Sequence, residues 1–150
     1  MQRYLLLLLP SLLVILPGCS KFLPSPEDKL EGTWQLKIAE RSSLFNWNTI
    51  NTGYEAGKFS FNNNGSANYE DGIIRMNGNW RMRLVKDGYY DNGGNYQDDS
   101  RRKLTINLFN FNENRILNLD FDRFHFNGRN RLIAEYISPF YRYRYEFVRF

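Results

Sequence analysis

The sequence predicts an all-β domain: an antiparallel barrel of about eight to ten strands behind an N-terminal leader and a short tether. Three observations carry the β assignment. Apolar residues recur with a period of two in one segment after another, which is the repeat of strands. Asn-Gly and Gly-rich stretches punctuate those segments where turns are needed. Tyr, Phe, Asn and Arg are abundant, and beyond residue 29 no Ala-, Leu- and Glu-rich block of helix-forming character occurs.

The leader comes first. Arg3 precedes an apolar run broken only by Pro10 and Ser11, the layout of a secretory signal that is short for a bilayer span. Leu16-Pro17-Gly18-Cys19 resembles the bacterial lipoprotein signal, in which a small residue precedes a lipidated cysteine. The resemblance implies that residues 1–18 are removed, that Cys19 is the lipidated N-terminus, and that residues 19–29 are a tether rich in Pro and polar groups. It also implies a domain held beside a membrane without crossing it, because several acyl chains anchor far more firmly than one. Ser20 fits an outer-membrane lipoprotein, on the periplasmic side or at the cell surface. Lipidation would also account for the single cysteine, since a thioether cannot form a disulfide.

The folded domain is expected over residues 30–150. Trp34, Leu36 and Ile38 share one face of the first strand, with Gln35 and Lys37 on the other. Lys58–Phe61 and Ser66–Tyr69 flank Asn62-Asn63-Asn64-Gly65, a hairpin whose Asn64-Gly65 can take the positive φ angles of a tight turn. Trp80, Met82 and Leu84 point inward from a strand over 78–85, and Leu104, Ile106 and Leu108 from one over 103–108. Phe124 and Phe126 have the opposite parity to Leu117, Leu119 and Phe121, which predicts a bulge or corner at Asp122-Arg123. Leu132, Ala134 and Tyr136 line the next strand, and Tyr143, Tyr145 and Phe147 the last.

Leu30-Glu31-Gly32-Thr33-Trp34 resembles the opening of lipocalins and of the lipocalin-like domains common in small lipoproteins of the Bacteroidetes. Phe59–Gly65 is similar to their second-hairpin segment, and Arg144–Arg149 to their final strand. The resemblance implies a barrel with Trp34 packed across its closed end. Trp34, Trp80 and Tyr145 are the expected interior residues. A transmembrane barrel is disfavoured because Gln35, Lys37, Arg81 and Arg83 alternate with residues too bulky and apolar for a polar lumen. A β-sandwich of another family is the remaining fold.

The residue inventory points away from catalysis. His125 is the only histidine, and with one cysteine it builds neither a usual zinc site nor a Cys-His pair. Asp87, Asp91, Asp98 and Asp99 lack the regular spacing of a calcium loop, and Asp120 and Asp122 have Arg115 and Arg123 nearby as surface partners. No enzyme activity, metal or cofactor is expected. The net charge of +4 is too small to argue for nucleic acid. Phe45, Trp47, Tyr89 and Tyr90 fall in the two longest links without a core partner by periodicity, and form the expected binding surface. The expected role is a non-catalytic binding or accessory module for an envelope protein or glycan, with a small apolar ligand in the barrel interior as the alternative.

Overall fold

The computed structural model describes residues 24–43 and 46–150. Cys19, the leader and Phe45 therefore lie outside the described residues. Ser25 caps a single helical turn, α1 (Pro26–Leu30): its hydroxyl accepts from the Asp28 amide, and the Asp28 carboxylate accepts from the Ser25 amide. This reciprocal capping, with Pro at the first helical position, explains why residues expected as extended tether are helical instead. The turn drops Leu30 into the core, fully buried.

Ten strands follow: β1 (Gly32–Ser42), β2 (Trp47–Thr49), β3 (Lys58–Phe61), β4 (Ser66–Glu70), β5 (Arg75–Tyr90), β6 (Tyr96–Asn110), β7 (Arg115–Phe121), β8 (Arg123–Asn127), β9 (Arg131–Ile137) and β10 (Arg142–Arg149). They form one antiparallel sheet in the order β7-β6-β5-β4-β3-β1-β10-β9-β8, with β2 paired to β1. Alternate residues face a common core that includes Trp34, Phe59, Phe61, Tyr69, Leu104, Ile106, Phe121 and Phe147. The Asn62–Gly65 turn forms, with Gly65 at φ +81° but Asn64 not at positive φ. Gly78 is needed for packing, because a Cβ there would collide with the Asn107 backbone on β6.

Three local expectations are corrected. A bulge between Leu36 and Ile38 shifts the register of β1 on β10, so Ile38 turns outward and Ala39 takes the buried position. The link after Leu84 is not a loop, since β5 and β6 continue as a two-stranded ribbon to Tyr90 and Tyr96. Asp122 pairs with Lys103, while Arg123 approaches Asp99 and Arg115 pairs with Glu113.

Hydrogen bonding does not close the sheet. Its edges are β7 and β8, the two strands that meet at Asp122. Up to Phe121, opposite Leu104, the chain pairs with β6; from Arg123, opposite Glu135, it pairs with β9. The expected corner is thus a change of partner strand, and it brings Phe124 and Phe126 back against the core. Asp122 joins the edges that the backbone leaves apart. Its amide donates to the Glu135 carbonyl at 2.8 Å. Its carboxylate accepts from the Ile137 amide at 2.9 Å and pairs with Lys103 Nζ at 2.7 Å.

Candidate functional site

A strand that changes partner leaves an unpaired edge on each side of the change, and the two slots beside Asp122 follow from this. One lies between β6 and β8, about 330 Å³, lined by Arg101, Arg102, Arg123, Phe124, His125 and Glu135. Much of its charge is already committed: Arg101 pairs with Asp87 at 2.7 Å and Asp99 at 3.5 Å, and Arg123 approaches Asp99 at 3.7 Å.

The other slot, between the edge of β7 and strands β9 and β10, is about 430 Å³ and opens to solvent. Phe121, Leu119 and the tyrosines 136, 143 and 145 form its apolar surfaces, with Asn118 and Asp120 on its rim. The sequence places these tyrosines for plain reasons. Ser138 closes the β9–β10 turn by accepting from the Tyr141 amide and donating to the Tyr141 carbonyl. That turn sets Tyr136 directly opposite Tyr143, ring centres 5.7 Å apart and tilted by 32°. Tyr141 stands edge-on to Tyr143 at 6.4 Å, and the Arg41 guanidinium covers the Tyr141 ring at 4.9 Å. At the base of the slot Phe121 meets Tyr145 edge-on at 5.2 Å.

Among the described residues the only tyrosine hydroxyl with a hydrogen-bond partner is that of Tyr69, which donates to Asp71. The slot hydroxyls are therefore free to bond to a ligand. Burial, followed by the neighbouring Tyr143 and Glu55, pushes the Tyr145 phenol up, so it stays neutral at physiological pH and remains a donor. Glu55 sits in a loop held by its own contacts: its carboxylate accepts from the Thr52 amide and hydroxyl, and its carbonyl from Gln35. Burial works to raise the Glu55 pKa, but these Thr52 contacts and other backbone bonds outweigh it and hold the carboxyl below its usual range. Tyr54 in the same loop meets Tyr69 edge-on at 5.2 Å and packs against the core. This part of the long link packs over the core side of the sheet.

Trp34 is fully buried and its indole donates to the Leu30 carbonyl at 2.7 Å. Trp80 is nearly as buried and bonds to the Asn62 carbonyl. Tyr145 is only partly buried, at the slot. Trp47 is not a free aromatic: it lies half-buried on β2 with the Arg144 guanidinium 4.2 Å above its ring. Tyr89 and Tyr90 are exposed, but they stand at the tip of β5, in a different part of the sheet from β2. Of the expected surface, Trp47 and the Tyr89–Tyr90 pair therefore stand on different strands of the sheet, and Phe45 lies outside the described residues. Sequence reasoning put Tyr136 and Tyr143 on an inward face and missed that they border a gap, because parity identifies a face but not where strand pairing stops.

Among the described residues, no group of three or more His, Cys, Asp or Glu is placed to hold a metal ion, and no helix is long and apolar enough to cross a membrane. Compared with protein-family models, curated proteins and solved structures, the chain matches none.

Proposed function

We propose that this chain is a lipocalin-like envelope lipoprotein whose job is non-catalytic binding, with a glycan as the ligand of the tyrosine slot. The observation that carries the reading is the slot itself: aromatic faces at set angles and uncommitted phenol hydroxyls, with Asn118 and Asp120 on the rim, the Asp120 carboxylate also accepting from the Thr105 hydroxyl. Sugars present apolar C–H faces ringed by hydroxyls, and such a lining matches both halves of that chemistry. The lipocalin-like reading is supported by the stacking of the Arg149 guanidinium on the buried Trp34 ring at 4.5 Å, which joins the first and last strands at the residues that carry the resemblance. The filled interior around Trp34, Phe59 and Phe147 weighs against a small apolar ligand held inside the barrel.

Calorimetric titration of the full chain with the peptidoglycan disaccharide GlcNAc-MurNAc and with four- to six-residue cello- and malto-oligosaccharides tests the function. At least one is expected to bind, and Tyr143→Ala is expected to weaken it about tenfold or more, as for loss of a central aromatic contact. Binding unchanged in Tyr143→Ala, or none across the panel, would count against the glycan reading. The anchor rests on the Gly18-Cys19 signal and is tested by intact-mass measurement of the mature protein from membranes. A chain beginning at Cys19 with added acyl mass is expected; any other start, or no acyl mass, rules lipidation out.

A further inference from the structure

The β5–β6 ribbon beyond Met82 and Leu104 has no further strand paired to it: β4 pairs with β5 only as far as Asn79, and β7 with β6 only from Leu104. Two-stranded ribbons of this kind are marginal in water unless a face is covered. One face does have internal cover, through the Arg101 pairs with Asp87 and Asp99. The other continues the inward face of the core and consists of four cross-strand pairs, Leu84 with Arg102, Lys86 with Ser100, Gly88 with Asp98, and Tyr90 with Tyr96. All of these residues are exposed. The tip is rigidly shaped: Asp91 accepts from the amides of Gly93 and Asn95 and from the Gln97 side chain. Tyr96 lies across Gly88, where a Cβ would collide with its ring, and meets Tyr90 edge-on at 5.5 Å.

We infer that this face docks against the same face of a second copy of the chain. The order of the four pairs is self-complementary. A two-fold axis between the faces and across the strands sets the first pair over the fourth and the second over the third. Leu84 then meets the Tyr90 ring of the second copy, and Arg102 its Tyr96 ring, an apolar contact and a cation–π contact. Lys86 faces the second copy's Gly88, which that copy's Tyr96 ring covers, beside that copy's Asp98. The charges decide for a second copy: Lys86 and Arg102 lie on the body side of this face and Asp98 on the tip side. Among the described residues none of the three makes an ion pair. Antiparallel stacking matches opposite signs, whereas parallel stacking would set like charges together. This inference is independent of the tyrosine slot.

Sedimentation velocity of the full chain, in non-ionic detergent because of its apolar N-terminus, tests it. A monomer–dimer equilibrium is expected between micromolar and millimolar protein. Lys86→Asp and Asp98→Lys should each weaken the dimer about tenfold or more, and the two together should restore it, with circular dichroism unchanged because both positions are exposed. A monomer over the whole range, a dimer indifferent to either single change, or no recovery in the double variant would overturn the proposal.

Discussion

Trp34→Ala is expected to lower unfolding free energy by about 3–5 kcal/mol, the cost of truncating a large aromatic in a packed core. The indole is fully buried, its N–H donates to the Leu30 carbonyl, and its outer face carries the Arg149 guanidinium. Arg149 also donates to the carbonyls of Lys29, Glu31 and Arg129, so the ring lies at the centre of a seal joining α1, β10 and the β8–β9 turn. Removing it opens a cavity and leaves that seal without its platform. Urea denaturation followed by tyrosine fluorescence measures the change. A midpoint equal to that of the unaltered protein would contradict the role given to Trp34.

The second large effect is expected at Asp122. Its carboxylate and the Lys103 ammonium are both mostly buried, and the Ile137 amide donates to the carboxylate's other oxygen. Asp122→Ala removes charge-assisted bonds that tie β6 to β9 where the chain changes partner strand, and should cost about 2–3 kcal/mol. Burial alone would raise this carboxyl's pKa. The Lys103 bond and charge, the Ile137 amide and Arg101 outweigh it and hold the group below the usual range. A depressed folded-state pKa contributes stability above the unfolded value, about 3.9, and that contribution is lost as pH falls through the folded value. The gap between the unaltered protein and Asp122→Ala should therefore be full at pH 6 and shrink steadily below about pH 4. Denaturation midpoints across that range measure it; a gap that stays constant with pH would contradict the ion-pair account.

The antiparallel strands were largely legible in the residues, whereas the expected closure into a barrel is not seen in the hydrogen bonding. Alternation gave the strands, Asn64-Gly65 the hairpin, and the parity reversal between Phe121 and Phe124 the corner. What the parity could not convey is that the corner exchanges one partner strand for another, because pairing depends on residues far away in sequence, here Leu104 and Glu135. The Ile38 bulge was hidden for a similar reason, since an apolar residue continues the alternation on paper while the register with β10 shifts. Trp47 looked unsupported because its cover, Arg144, comes from the last strand. The ribbon residues read as a loop because Gly88, Gly93 and Gly94 and four aspartates suggest one, yet cross-strand pairing runs through Gly88 to Tyr90. Of the slot, Tyr145 was foreseen as an interior residue. Tyr136 and Tyr143 acquire their role from the unpaired edge of β7 that faces them.

Binding of a glycan where the unpaired edge of β7 faces β9 and β10 is tested most directly by following the oligosaccharide titration residue by residue, through amide and aromatic chemical shifts of the full chain. The expected shifts centre on Leu119, Phe121, Tyr136, Tyr143 and Tyr145, saturate together, and are lost in Tyr143→Ala. Saturable shifts centred instead on Trp34 and Phe147 in the core, or on Tyr89 and Tyr90 at the ribbon tip, would contradict it.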